Sequence, residues 1–476
     1  VDTVVPARSV GDRLDRLPLT SFHRRLVVAL AGMIVFEWIE THSFAFAAPI
    51  LREQWDLPIS GLAAVVAVSS LGAFAGGVLG GWLADRVGRR RTLLAFAAVY
   101  CLAALSATSV QSPEQLLVAR TAVQFGAQGT AVVAIVVLSE FVPAAARGRM
   151  QTYKVALGSL GIPIAAWSGY FLLPQWSWGW RLLFGLGACG AVFAVLVWRW
   201  VPESPRWLAA HGQTERAHEV VRAIERACGV EPSDPAPSRS PDGAGAGTAA
   251  RPRVRAVGLI TGAYRRRFLV VTALWTTGLL AYSAFTTWTP TLLKDNGLTL
   301  DDTLLLSAVL ATAAPIGAIV AAPLIDRWDR RTTQLVLGAL TATVLLLFSV
   351  ARSPATILVF GFAVSLLFQM AVPFMQVYSA EVFPTRIRAV GSGTANALSR
   401  IVNFASPALV TAVYGGLGYT AVFVLLAALA ATGGCAVYLF GPRSTGVSLE
   451  DAASGGGTTP APGTRATRTD TAVENI

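Results

Sequence analysis

GGWLADRVGRRRT, residues 80–92, decides the fold, because the chain contains it twice. AAPLIDRWDRRTT, residues 321–333, repeats its small residues, its aspartate and its basic cluster, and Asp326 follows Asp85 by 241 residues. The same offset relates SEFVPAAARGR (139–149) to AEVFPTRIRAV (380–390), aligning Glu140 with Glu381, Pro143 with Pro384 and Arg147 with Arg388. Gln128 and Gln369 keep it as well. One offset shared by four separate segments is the mark of an internal repeat. It implies two halves of the same build, an arrangement that places a substrate site between them.

Each copy follows a long apolar block, and the blocks define the fold class. Of 476 residues 54% are hydrophobic and 14% charged, with a mean hydropathy of +0.57; a soluble domain carries about 25% charged residues. A soluble enzyme is excluded on that ground. Twelve blocks of roughly 20 residues are each long enough to cross a ~30 Å hydrocarbon layer as a helix. They fall near 26–48, 61–84, 92–110, 115–139, 151–173, 180–201, 268–293, 304–325, 332–350, 355–379, 388–412 and 417–440. The expectation is an all-α membrane protein with twelve transmembrane helices in two six-helix halves, 26–201 and 268–440. A cytoplasmic N-terminal segment (1–25), a cytoplasmic central loop (202–267) and a cytoplasmic tail (441–476) complete the chain. Within the central loop a helix-like part up to Cys228 precedes a Pro/Gly/Ala-rich linker, which is expected to be disordered, as is the tail.

The net charge of +11 suggests nucleic acid in a soluble chain, but the positions of the basic residues give another meaning. Of 38 Lys and Arg, 32 fall on the side that holds both termini; Arg52, Arg181, Lys294 and Arg352 lie on the other, and Arg120 and Arg400 lie within spans. By the positive-inside rule both termini are cytoplasmic, and no nucleic-acid partner is implied. The first block is preceded by 25 polar residues, so no cleavable leader is expected. Four cysteines, three of them in spans, imply no disulfide framework. Two Lys against 36 Arg suggest a GC-rich bacterium, and hence its inner membrane.

These motifs carry a resemblance. GGWLADRVGRRRT resembles the signature between helices 2 and 3 of the major facilitator superfamily. PESPRWL (202–208) resembles the post-helix-6 signature of its sugar-porter-like branches, and RTAVQFGAQG (120–129) its helix 4 motif. PESPRWL is shared by sugar porters, organic-ion transporters and aromatic-acid and nicotinate proton symporters. PRSTGVSLED (442–451) resembles PETKGxxLEE without its acidic second residue. The resemblance implies a multi-pass carrier working by alternating access.

Polar side chains at the cytoplasmic mouth are candidates for gating, since ion pairs made in one state and broken in another bias an equilibrium. They are Asp85, Arg89, Glu140 and Arg147 in the first half and Asp326, Arg330, Glu381 and Arg388 in the second, with Glu203 and Arg206 extending the lattice. In the resembled family such residues latch the outward-facing state, with the loop 2/3 Asp near the N-terminus of helix 11.

Charged groups inside the bilayer are costly and mark function. Glu37 and Glu40, in FEWIE (36–40), are the only acids deep in a span, and their i, i+3 spacing puts them on one face. Two neighbouring carboxylates in a low dielectric cannot both ionise cheaply, which is the chemistry of proton coupling; an ion pair with Arg120 that ties helices 1 and 4 is the alternative. Arg120 cannot relay a proton, but can tune a carboxylate. FEWIE also resembles the paired-acid DGxD of aromatic-acid symporters. Gln124 and Gln128 continue the polar stripe of Arg120. On helix 11, Asn396, Arg400 and Asn403 share a face; Arg400 suits a substrate carboxylate, a partner of Glu37 or Glu40, or a structural role. Trp275, Tyr282 and Gln369 on helices 7 and 10 are further substrate contacts, since with helices 1 and 4 these line the family's central cavity. Lys154 is placed at the cytoplasmic border.

The reading is a proton-coupled carrier, not an enzyme, importing a small organic anion or aromatic acid across the lipid bilayer as a monomer, with no catalytic residue, metal or cofactor. No nucleotide-binding motif is present. The alternatives are a proton antiporter exporting a secondary metabolite or drug, a sugar or polyol porter, and a ligand sensor.

Overall fold

The computed structural model describes residues 10–231, 264–324, 328–383 and 388–442, and every regular element among them is an α-helix. The first half comprises α1 (Val10–Asp15), α2 (Ser21–Gln54), α3 (Ile59–Val87), α4 (Arg89–Ala107), α5 (Pro113–Phe141), α6 (Ala144–Gly158), α7 (Gly161–Leu172), α8 (Gly179–Ala188) and α9 (Gly190–Trp200), followed by the short α10 (Pro205–Ala210) and α11 (Thr214–Ala227). The second comprises α12 (Arg265–Asp295), α13 (Leu300–Leu324), α14 (Arg330–Val350), α15 (Pro354–Glu381), α16 (Arg388–Asn403) and α17 (Ser406–Phe440). The linker after residue 231 and the tail lie outside the described residues.

Eleven helical stretches are long and apolar enough to cross a membrane, with α6–α7 and α8–α9 each counting as one. Gly418, at φ 81°, breaks α17. Together α16 and the part of α17 before Gly418 make the eleventh crossing, and the rest of α17 the twelfth. The loops stop and start the helices by local chemistry. Ser112 and Ser353 accept from the backbone N–H of Gln115 and Thr356 and are followed by Pro113 and Pro354, whose missing N–H costs nothing in a first turn.

The outer flanks carry large exposed apolar side chains, among them Leu102, Val118, Ile319 and Val359, as a lipid-facing surface requires. Between helices, small residues permit close approach. On α3, Gly72, Gly76 and Gly80 lie against α5, and a Cβ at Gly76 would stand 2.0 Å from the Phe125 carbonyl oxygen.

We call the end where α2 begins the basic face and the other the opposite face. One apolar core joins the halves on the opposite side, running from Phe46, Leu51 and Trp180 to Phe285, Trp288 and Phe423. Toward the basic face the cores are separate, one built of first-half residues such as Leu26, Val133 and Phe141 and one of Phe268, Leu274 and Tyr378. The halves therefore close on the opposite side and part toward the basic face.

Candidate functional site

At the basic face the duplicated motifs form ion pairs within each half. Gly88, at φ 113°, turns the chain from α3 into α4, and a Cβ there would lie 2.5 Å from a Glu203 oxygen. Glu203 uses that space to accept from the backbone N–H of Arg89 (2.7 Å) and Arg90 (3.0 Å), capping α4 with a carboxylate where the helix dipole favours one. Arg89 bridges Asp85 (3.0 Å) and Glu140 (3.1 Å). Asp15, which the motifs did not single out, gathers Arg206 (3.0 Å) and Arg147 (3.4 Å). In the second half Arg330 meets Glu381 at 3.5 Å. Asp326 lies outside the described residues, as does the side chain of Arg388. Asp85 is largely exposed and bonded only one turn along its own chain in the ion pair described. The helix α1 is strapped to α11 by Arg13, which donates to both oxygens of buried Glu225 (2.9 and 2.6 Å) and lies 3.2 Å from His218 Nδ1.

Deeper in, the two acids of α2 part company although they share a face. Glu40 is fully buried and is paired with Arg120, which also donates to the Glu40 carbonyl at 3.0 Å. Rings of Phe44 and Phe184 stand about the guanidinium, 5.5 and 5.4 Å away. Glu37 is nine-tenths buried, and its Oε2, like that of Glu40, has no hydrogen-bond partner among the described residues. The cations acting on it are Arg400, from the other half, and Lys154 on α6. Lys154 is 3% exposed and belongs to the interior, not to the border. Sequence reasoning misplaced it because a lysine four residues into a span is indistinguishable from one that snorkels to the surface.

Arg400 faces the cleft between the halves. It donates to Gln128 Oε1 across that cleft at 3.0 Å and to Asn396 Oδ1 at 3.3 Å. Gln124 is held one step away by the Thr41 hydroxyl (3.2 Å). Gln369 donates to the Tyr282 hydroxyl (3.3 Å). The side chain of Asn403 lies outside the described residues. Trp275 lines a largely apolar cavity inside the second half, with Tyr282, Gln334, Leu337, Phe368 and Met375; no first-half residue lines it. The N–H groups of Trp275 and Gln334 find no partner among the described residues.

At the opposite face the ends of α2 and α12 are cross-linked. Arg52 meets Asp295 (2.5 Å), which also accepts from the Tyr414 hydroxyl (3.3 Å), and Lys294 meets Glu53 (2.5 Å). The sequence marked these two basic residues only as exceptions to the charge bias. Among the described residues these are the ion pairs that join the halves.

Twelve helices in two repeated halves, closed over a charged centre on one side and parted on the other, define a multi-pass membrane transporter of the major facilitator fold. Residues 35–454 match the family model described as "Sugar (and other) transporter", and the chain belongs to that family. It is 32% identical to the putative metabolite transport protein YyaJ of Bacillus subtilis, over 92% of this chain and 96% of that protein. To the niacin transporter NiaP of Acinetobacter baylyi it is 28% identical, over 92% of this chain and 98% of that protein. A partially occluded inward-open structure of the xylose transporter XylE from E. coli superposes with a TM-score of 0.73 at 16% identity, covering 90% of this chain and all of that one. At that identity the likeness concerns the fold.

Proposed function

We propose that the protein is a proton-coupled carrier that imports a small aromatic or related monocarboxylic acid across the bacterial cytoplasmic membrane, with both termini cytoplasmic. The observation that carries this is Arg400, a guanidinium facing the cleft that is bonded to the neutral amides of Gln128 and Asn396 and is in ion-pair contact with no acid among the described residues. A planar fork of donors so held is ready for a carboxylate. The Acinetobacter relative is a niacin transporter, which is support of the same kind, since niacin is a heteroaromatic carboxylic acid.

Charge balance supports a monoanion. Glu37 and Glu40 against Arg120, Lys154 and Arg400 leave one positive charge over when all five are ionised, and Arg400 carries it at the cleft, where an anion is drawn to it. A substrate carboxylate cancels it. Glu40 is tied to Arg120, so Glu37 is the acid free to take and release a proton as the cleft changes its exposure. Gln124 adjoins the centre through Thr41, while Trp275 and Tyr282, with Gln369 bonded to Tyr282, border the apolar cavity of the second half and are candidates for the ring of the substrate.

The closed opposite side and the parted basic face support a gate. With the basic face inside, the structure is inward-open, held by Arg52–Asp295 and Lys294–Glu53 outside. In this reading the lattice of Asp85, Arg89, Glu140, Arg147, Glu203 and Arg206, with Arg330 and Glu381 opposite, meets across the halves when the cleft closes inside and opens outside.

The test is a substrate panel on the protein reconstituted in liposomes with an imposed pH gradient. Labelled nicotinate or benzoate accumulates against its gradient, and unlabelled aromatic acids compete while hexoses do not. Accumulation of hexoses alone would show a sugar porter, and acid-driven efflux of the label an exporter.

A further inference from the structure

The Lys154 ammonium has no place in the gate or in the Glu40–Arg120 pair. It lies 3% exposed on α6, in a stretch apolar enough to span the membrane. Packing against α2 is close: a Cβ at Gly158 would lie 2.6 Å from an Ile34 methyl, and one at Gly161 would lie 2.3 Å from the Val35 carbonyl oxygen. Lys154 therefore approaches α2 along the face that leads to Glu37, on which it acts electrostatically.

A buried lysine that only holds helices together is expected to donate to fixed oxygens. No hydrogen bond or ion pair of this kind is found for Lys154 among the described residues, and the acid it acts on is itself unbonded at Oε2. Glu37 thus lies within electrostatic reach of two cations, one on α6 and one on α16 of the other half, and among the described residues it is in ion-pair contact with neither. Removal of Lys154 leaves Arg400 as the cation toward which the carboxylate is drawn.

We propose that Lys154 is a positioning residue of the central site, a third cation that holds the Glu37 carboxylate off Arg400 and so leaves the guanidinium free for the carboxylate of the substrate. The proposal rests on the reading of Arg400 given above. Substrate and Glu37 are rivals for one fork of donors, and Lys154 decides the rivalry in favour of the substrate. Other charged and titratable groups near Glu37, namely Glu40, Arg120 and Tyr100, are on α2, α5 and α4 and are unchanged by substitutions on α6.

The experiment measures equilibrium binding of labelled nicotinate and benzoate to protein in nanodiscs. Lys154→Gln weakens binding tenfold or more, Lys154→Arg keeps it within about threefold, and the double variant Glu37→Gln/Lys154→Gln recovers the affinity of Glu37→Gln alone, because the rival is gone. An unchanged Lys154→Gln, or a double variant as weak as Lys154→Gln, overturns the proposal. If the wild type binds neither acid, the reading of Arg400 has failed, and a ligand-free arm still decides the role of Lys154. The Glu37 carboxylate stretch, isolated as the infrared difference between each protein and its Glu37→Gln partner, moves in Lys154→Gln as the carboxylate swings onto a guanidinium, and does not move when Arg400 is Gln. Identical spectra with and without Lys154 refute the role of Lys154 whether or not an acid binds.

Discussion

At the residue scale the centre is a question of which charge faces which. Arg120→Gln leaves the buried Glu40 carboxylate without its partner, a change that costs about 3–5 kcal/mol where the charge persists. Its expected signature is a clear fall in the thermal unfolding temperature in detergent, largely reversed by adding Glu40→Gln; equal temperatures for wild type and Arg120→Gln would mean that the pair is not holding α2 to α5. The identities of these residues were legible in the sequence, because a charge in an apolar block stands out. Their pairings were not. Glu40 and Arg120 are 80 residues apart and Gln128 and Arg400 are 272 apart, and only the packing of the helices decides that Glu37 and Glu40, three residues apart on one face, answer to different cations. Asp15 was hidden for the opposite reason, as one acid among several in a polar segment.

At the scale of elements, glycine contacts and the strap at the basic face make separable predictions. Gly76→Val forces side-chain atoms into the Phe125 backbone of α5, and overpacking of this kind costs about 1–3 kcal/mol or more. Gly148→Ala on α6, where nothing lies within 4 Å of the new carbon, leaves the unfolding temperature unchanged. A similar loss for both would contradict the packing described. The strap α1 depends on pH through His218, which burial, with Arg13 and Arg222 nearby, holds below its ordinary value. A base with a lowered value binds its proton more readily once the strap is released. Docking is therefore fully present above the ordinary histidine value, near 6.5, and is lost as pH falls below it. Protection of the amides of residues 10–15, taken relative to their intrinsic exchange rate at each pH, should fall between pH 7.5 and 5.5, and His218→Gln should remove that dependence; the same pH response in the variant would exclude His218 as its source. The spans themselves were read from block length alone. The division of the eleventh by a break at residues 404–405 was not, since neither Phe404 nor Ala405 is a helix breaker and the nearest proline, Pro407, stands in the first turn of the second piece, where it is tolerated.

At the scale of the molecule, two halves are joined on one side by two exposed or half-exposed ion pairs, each worth about 0–1 kcal/mol. Together they shift the balance of inward-open and outward-open states by no more than about thirtyfold, small enough for substrate to overcome. Lys294→Glu should raise the outward-open population, read as the distance between spin labels at the α2 and α12 ends, and Glu53→Lys in the same chain should return it. A distance distribution indifferent to both would remove these pairs from the gate. The repeat at 241 residues announced the two halves, while the outer pairs went unseen because they lie outside the repeated motifs. In liposomes loaded with a pH-sensitive dye, without an imposed gradient, addition of nicotinate outside reads the coupling itself as a change of internal pH. Acidification of the interior is expected together with label uptake, both lost in Arg400→Ala, and in Glu37→Gln only exchange of label without proton movement. Nicotinate uptake by Glu37→Gln with the same internal acidification would contradict coupling through Glu37.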